Sequence, residues 1–338
     1  MNRVPNNKKV IFLLSALCCL LLVCVNIYQQ KTWRSMDLII FMGQSNMSGA
    51  GGDASAAPKL TKGAGYEYRA VTDPDTLHVL EEPFGEKENR GALDDTELLE
   101  RKGSLVTSFV NAYYEQTNVP VVAVSASRGS SSLNGWLTKG LKEETADRLN
   151  AAKDCMKKEK IHVYHTYMVW FQGEADANLE TTVDEYKAQL AELVSYMKEQ
   201  GVEKCFLIQL GPDLTDPAKH QAVMDAQLAA CEENENLILV STLPAELTDA
   251  DLRDELGIHY NQEALNLIGA DAGKKPAQRS HVADDHNGDD DIQQGRTLAH
   301  EQPRNAQRKD FRREIVYRDA EHGRPRLPHP SGAGHRRL

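Results

Sequence analysis

Five short apolar runs, separated by longer stretches of helical character, constrain the fold of this chain more than any other feature. The runs occupy residues 38–42, 119–124, 162–171, 205–210 and 237–241. They are rich in β-branched or aromatic residues, as strands buried on both faces of a parallel sheet are. The intervening stretches space their apolar residues as helices do. This alternation predicts a three-layer α/β/α sandwich with right-handed crossovers.

One part of the chain departs from this rhythm. Residues 49–103 are rich in Gly, Asp, Glu and Pro and contain few apolar runs. The composition predicts a long surface insertion over one end of the sheet, where substrate-binding loops are found.

The N-terminus carries a pattern typical of membrane targeting. Residues 10–28 contain no charge, and Arg3, Lys8 and Lys9 precede them. No small-x-small cleavage site follows, so we expect an uncleaved signal-anchor at the cell membrane, with one span and the rest of the chain outside the cytoplasm. The alternative is a cleaved signal peptide and a secreted protein. The predicted domains are an anchor segment (1–35), a globular domain (36–274) and a tail (275–338).

Composition and charge exclude several classes of protein. The tail offers too few apolar side chains to fold, and we expect it to be disordered or to stem from an altered reading frame. The chain has a net charge of −11 at pH 7, and its acidic groups are concentrated between residues 36 and 274. An acidic surface repels phosphate backbones, so nucleic acid is not expected as a partner. The six cysteines show neither metal-ligand spacing nor a disulfide framework.

Three short segments carry the residues suited to catalysis. Phe41-Met42-Gly43-Gln44-Ser45-Asn46-Met47 follows the first predicted strand and presents a serine that can act as a nucleophile if a base is near. Trp170-Phe171-Gln172-Gly173-Glu174 follows the third strand, and the Gln172 amide can donate toward an oxyanion. Gly257-Ile258-His259-Tyr260-Asn261 precedes the last helix and supplies a candidate base. Taken singly, each segment is equally consistent with a helix cap, a polar loop or a surface histidine.

In combination, and in this order, these segments resemble the SGNH (GDSL-like) hydrolases, and within them the sialate O-acetylesterase and acetylxylan esterase branch of carbohydrate esterases. The resemblance covers about residues 36–272. It implies a five-stranded parallel flavodoxin-like sheet of order 2-1-3-4-5 and serine ester hydrolysis without metal or cofactor. It also implies Ser45 as the nucleophile, His259 as the base, and an oxyanion hole formed by Ser45, Gly129 and Gln172.

The acid of the expected triad departs from the family pattern. The superfamily has an Asp three residues before the His, and Leu256 stands there in this chain. Asp254, five residues before the histidine, is the first choice for the acid. Glu255 and Glu174 are the alternatives, and a Ser–His dyad without an acid is also open.

The sequence therefore predicts a serine esterase that removes acetyl groups from sialic acid or from acetylated plant polysaccharide. Two alternatives remain at this stage. One is a non-catalytic, membrane-anchored glycan-binding protein on the same scaffold, and the other is a general arylesterase or lipid esterase, because a fold does not determine a substrate.

Overall fold

A single sheet of seven strands, in the order β3-β2-β4-β1-β5-β6-β7, organises this computed structural model. The structure describes residues 14–20, 33–86, 88, 101–254 and 257–284. The strands are β1 (Arg34–Gly43), β2 (Gly65–Arg69), β3 (Asp73–Val79), β4 (Val121–Ser125), β5 (Ile161–Phe171), β6 (Lys204–Ile208) and β7 (Leu237–Ser241). All neighbouring pairs are parallel except β2 with β3.

The five apolar runs form the five strands β4-β1-β5-β6-β7, so the predicted order 2-1-3-4-5 is retained within the larger sheet. The prediction of a five-stranded, all-parallel sheet is wrong in its detail, because β2 and β3 extend one edge and β3 is antiparallel. Both lie within residues 49–103, which were expected to form only a surface insertion. These strands are polar because β3 is a half-exposed edge strand and because β2 buries Glu67, which accepts a hydrogen bond from Arg69 at 2.8 Å.

The sheet separates two apolar cores, and helices cover both of its faces. The helices are α1 (Ser45–Ser48), α2 (Val106–Thr117), α3 (Leu133–Thr138), α4 (Leu141–Lys158), α5 (Glu174–Asn178), α6 (Val183–Glu199), α7 (Gln221–Glu233) and α8 (Gln262–Asp284). Successive side chains of β1 point to opposite faces: Leu38 and Ile40 join one core, and Ile39 and Phe41 join the other. Because β1 is buried on both faces, it holds the loop that follows it at a fixed place.

The structure describes only part of the two segments that flank the predicted globular domain. Helix α8 continues ten residues past the predicted boundary at 274, and residues 285–338 lie outside the described residues. Of the predicted anchor segment 10–28, only residues 14–20 are described, and they are helical and exposed. None of the described helices is both long and apolar enough to traverse a bilayer.

Candidate active site

The first two motifs meet because β1 and β5 are parallel neighbours. Gly43 at the end of β1 is in register with Phe171 at the end of β5. Ser45 therefore opens α1 at the same edge of the sheet at which Gln172 and Glu174 follow β5. The carboxyl edge of a parallel sheet is where α/β proteins place reactive groups, as the sequence predicted.

Gly43 lets the chain turn tightly past β5. Its φ is +141°, and a Cβ atom there would lie 2.1 Å from the carbonyl oxygen of Phe171. The next residue, Gln44, donates its backbone N–H to that same oxygen at 3.2 Å. A side chain at position 43 would therefore displace the loop that carries Ser45.

Two polar side chains next to Ser45 connect the motifs, and the sequence analysis did not identify either. Gln44 accepts the backbone N–H of Ala175 with its Oε1 at 3.2 Å. Asn46 donates its Nδ2–H to Glu174 Oε1 at 2.5 Å and accepts the backbone N–H of Tyr260 at 3.0 Å. Asn46 thus joins the serine loop, the loop after β5 and the histidine loop. The only sequence signal for a role of Gln44 and Asn46 was their position on either side of Ser45.

His259 is paired with Asp254. The imidazole Nδ1 lies 2.9 Å from Asp254 Oδ2. The other carboxylate oxygen accepts the backbone N–H groups of Ile258 at 3.0 Å and His259 at 3.2 Å. The Asp254 backbone N–H in turn donates to the His259 carbonyl at 2.8 Å, which closes a tight turn. Gly257, with a φ of +70°, lies within this turn.

The hydrogen bonds of this turn keep Asp254 ionised. Partial burial by itself raises the pKa of this carboxyl group, but the hydrogen bonds from the His259 ring and from the backbone of Ile258 and His259 outweigh it, and the net pKa lies below the ordinary value. A carboxylate on Nδ1 fixes the tautomer in which Nδ1 carries the proton, and Nε2 is then the atom able to accept one.

Of the two other acids considered from the sequence, the structure describes only Glu174. Glu255 lies outside the described residues. Glu174 is bonded to Asn46 rather than to the imidazole. Among the described acids, Asp254 is the one that accepts the hydrogen bond from His259 Nδ1.

Gly51 packs directly against His259. A Cβ atom on Gly51 would lie 2.6 Å from the Cβ of His259 and 2.6 Å from the carbonyl oxygen of Tyr260. The absence of a side chain at position 51 therefore allows the histidine loop to approach the segment that follows Ser45.

The candidate oxyanion residues surround the same edge. Gly129 follows β4 in a loop held to β1, because the Arg128 N–H donates to the Gly43 carbonyl at 2.8 Å. Gln172 is fully buried. Its amide Nε2 donates to the Ser131 carbonyl at 2.9 Å and also to Asp176. Both amide N–H groups are thus engaged within the protein, and the role of Gln172 toward an oxyanion stays a prediction.

Asp176 holds the Gln172 amide and also accepts the backbone N–H of Leu133 at 3.0 Å, at the start of α3. Burial raises the pKa of Asp176, although hydrogen bonds from Gln172, Leu133 and Thr181 oppose the shift. Because its carboxylate accepts from both Gln172 and Leu133, Asp176 connects the residue that follows β5 to the segment between β4 and α3, which carries Gly129. Asp176 is a third residue of the site that sequence analysis missed, since an acid after the Glu174 motif looks like a solvated loop residue.

A cavity of about 330 Å³ lies beside these residues. Its walls include Asn46 next to the serine, Ile258 and Tyr260 on either side of the histidine, and the loop between β6 and α7. Across the part of the chain that the structure describes, no three His, Cys, Asp or Glu side chains are grouped as a metal site would require.

Comparison with known proteins gives one family match. A family model described as a carbohydrate esterase, sialic acid-specific acetylesterase, matches residues 35–277. A search of curated proteins gave no match.

Several solved structures resemble this one. A protein from Arabidopsis thaliana has 16% identity and a TM-score of 0.56, covering 73% of this chain and 99% of its own. A carbohydrate acetylesterase from Xanthomonas citri has 15% identity and a TM-score of 0.43, covering 72% of this chain and 56% of its own. An esterase from a Pseudoalteromonas species has 14% identity and a TM-score of 0.37, covering 75% and 100%. The Arabidopsis structure supports the fold.

Proposed function

This chain belongs to the carbohydrate esterases described as sialic acid-specific acetylesterases, and on that premise we propose that it removes O-acetyl groups from carbohydrates through Ser45. The resemblance to the sialate O-acetylesterase branch of carbohydrate esterases drawn from its motifs is confirmed, and the chain is a carboxylic ester hydrolase. The observation that carries the proposal is the Asp254–His259 hydrogen bond of 2.9 Å, on a loop bound to Asn46 next to the serine.

In the proposed reaction, His259 Nε2 takes the proton from Ser45 Oγ as this oxygen attacks the acetyl carbonyl. The carbonyl oxygen becomes an oxyanion that the backbone N–H groups of Ser45 and Gly129 stabilise. Gln172 adds a donor only if its amide leaves the Ser131 carbonyl or Asp176. The protonated imidazole then gives its proton to the departing sugar oxygen, which leaves acetyl-Ser45. Water, deprotonated by His259, releases acetate and restores the serine.

The loss of turnover expected when one group is removed can be stated for each part of this mechanism. Asp254 orients the imidazole and stabilises its protonated form, and removing such a carboxylate costs up to ~10⁴ in turnover. Loss of one oxyanion donor costs on the order of 3 kcal/mol. The Asp254–His259 pair supports catalysis rather than a purely glycan-binding role, since binding alone needs no ionised acid on a histidine.

The test is hydrolysis of p-nitrophenyl acetate, acetylated sialic acid and acetylated xylan by the purified protein and by Ser45→Ala. Ser195→Ala is the matched control, because Ser195 is exposed on α6, far along the chain from the motifs. We expect turnover to vanish in Ser45→Ala and to persist in Ser195→Ala. Undiminished turnover in Ser45→Ala would overturn the mechanism, and hydrolysis of the aryl ester alone would indicate the arylesterase alternative.

We also propose that residues 10–28 attach the protein to a membrane with its esterase domain outside the cytoplasm, or are cleaved from a secreted form. The basis is the sequence pattern, and the exposed Leu14, Leu17 and Leu20 of the described helical stretch agree with an apolar segment.

A further inference from the structure

The cavity beside the Ser45–His259 site contains polar groups that the proposed mechanism does not use. Its volume of about 330 Å³ lies at the lower end of the range of ~300–1,000 Å³ found for small-molecule sites. This size suits one sugar ring better than a long stretch of glycan. Glu174, His220 and Arg253 line it together with Asn46 and Tyr260.

Two charged side chains in its wall are incompletely satisfied. Glu174 uses Oε1 for Asn46, whereas its buried Oε2 has no hydrogen-bond partner among the described residues. Arg253 is more than nine-tenths buried, and its Nη1 also lacks a partner there. Arg253 stacks on Tyr260, with its Cζ 3.6 Å from the ring centroid, which holds the guanidinium in place. Buried polar atoms without partners are costly, so their presence in the cavity wall needs an explanation.

His220 adds a third polar side chain to the cavity wall. It is more than nine-tenths buried, and its Nδ1 lies 2.8 Å from the Gly211 carbonyl oxygen. Since a carbonyl only accepts, Nδ1 carries the proton, and in the neutral imidazole Nε2 is then an acceptor.

We propose that this cavity is the subsite for the sugar ring of the substrate, and that it selects a neutral polyhydroxylated ring over one that carries a carboxylate. Glu174 Oε2 and His220 Nε2 accept hydrogen bonds, and Arg253 Nη1 donates one. Neighbouring sugar hydroxyls supply both donors and acceptors to such a set. The inference rests on the proposed function, because it assumes that the acetyl group of the same sugar reaches Ser45.

Charge supports the neutral ligand. Glu174 and Asp213 oppose Arg253 and Lys219 in the cavity wall, and Lys219 lies 3.6 Å from Asp213. The cavity therefore has no excess positive charge to attract a carboxylate. A carboxylate also cannot donate to Glu174, and the net charge of −11 on the chain repels an anionic ligand at longer range.

The experiment compares two substrates that differ in one group, methyl 3-O-acetyl-glucoside and methyl 3-O-acetyl-glucuronide, with p-nitrophenyl acetate as a sugar-free reference. For the wild-type protein we expect kcat/KM for the glucoside to exceed that for the glucuronide at least ~10-fold, because only the glucuronide places an anion near Glu174. Equal rates, or faster hydrolysis of the glucuronide or of acetylated sialic acid, would overturn the proposal.

Two variants then assign the preference to the cavity. Glu174→Gln is nearly isosteric and retains an oxygen for Asn46, and Arg253→Met retains an apolar contact with Tyr260. In each, we expect the ratio of kcat/KM for the glucoside to that for p-nitrophenyl acetate to fall at least ~10-fold, mainly through KM. Lys187→Met is the control and should leave both rates unchanged, because Lys187 is paired with Glu233 at 2.6 Å and neither residue lines the cavity. An unchanged ratio in Glu174→Gln would contradict the subsite even if Arg253→Met failed to fold.

These outcomes separate the two proposals. If none of the esters is hydrolysed in a Ser45-dependent way, the proposed function fails. If hydrolysis depends on Ser45 but shows neither the neutral-sugar preference nor the loss of the ratio, only the subsite fails.

Discussion

At the scale of single residues, Asp254 reaches His259 because the chain between them closes on itself. The backbone N–H of Asp254 binds the carbonyl of His259, and the N–H of Gly257 binds the carbonyl of Asp254 at 2.9 Å. These two bonds bring the Asp254 carboxylate, five residues before the histidine, to 2.9 Å from the His259 Nδ1.

We expect Asp254→Asn to lower kcat at least tenfold, because the Asn side chain cannot stabilise the protonated imidazole. Glu255→Gln is the neighbouring control and should have a smaller effect. Since hydrogen bonding holds the pKa of Asp254 below 3.8, its contribution to stability is present above about pH 4 and is lost as the pH falls through the lower folded-state pKa. Thermal melting of both variants between pH 2 and pH 7 measures this. Wild-type turnover in Asp254→Asn together with a loss in Glu174→Gln would place the acid after β5 instead.

The histidine loop leaves no room for a side chain at position 51. We expect Gly51→Ala to lower kcat at least tenfold, since the added methyl would lie 2.6 Å from the His259 Cβ and the loop must shift. Gly135→Ala is the matched control, because its added Cβ would meet nothing closer than 3.5 Å. Equal turnover in the two alanine variants would show that the histidine loop does not depend on this approach.

At the scale of elements, the site is assembled by neutral polar side chains rather than by ion pairs. Asn46 on α1 holds Glu174 at the start of α5 and Tyr260 just before α8. Gln44 accepts the N–H of Ala175 in the first turn of α5. Elements that are far apart in sequence thus meet through amide groups, which sequence patterns do not distinguish from ordinary loop residues.

We expect Asn46→Ala to lower kcat more than tenfold while Ser45 still reacts slowly, because the histidine loop loses its bond from the Tyr260 N–H. Asn46→Asp should retain the acceptor for Tyr260 but place a carboxylate against Glu174. A double-mutant cycle of Asn46→Ala with Glu174→Gln, read as kcat/KM, measures the coupling. Strict additivity would show that Asn46 acts on the histidine loop and on Glu174 independently.

At the scale of the whole molecule, the sequence could predict the central strands but not the edge. β1 and β5 are buried and apolar, so their composition identifies them. β3 contains Pro74 and mostly polar residues, as an edge strand can, and among the described strands it pairs with β2 alone. Glu67 in β2 is buried because Arg69 and the Gly85 N–H satisfy it. The sequence pattern does not indicate that a polar side chain such as Glu67 will be hydrogen-bonded and buried within a strand.

The same limit applies to the site. Ser45 and His259 were proposed as nucleophile and base because their motifs together resemble a known family, whereas the acid stayed open among Asp254, Glu255 and Glu174. The contacts of Asn46 and the packing of Gly51 could not be predicted, since they depend on how close two loops approach.

The N-terminal segment yields a prediction for the whole chain. We expect the full-length protein to sediment with membranes and to resist carbonate extraction, whereas a chain beginning at residue 36 remains in the supernatant. Both forms should hydrolyse p-nitrophenyl acetate at the same rate. Recovery of a shortened protein from the medium would indicate the cleaved signal peptide instead.

Covalent labelling tests the proposed role of Ser45 as the nucleophile most directly. The protein is treated with a serine-reactive phosphonate and mapped by mass spectrometry, with Ser45→Ala and Ser195→Ala treated in parallel. We predict one phosphonyl group per chain, on Ser45, together with loss of activity in proportion to labelling, and no label in Ser45→Ala. Labelling at another serine, or full activity after Ser45 is modified, would contradict the assignment of Ser45 as the nucleophile.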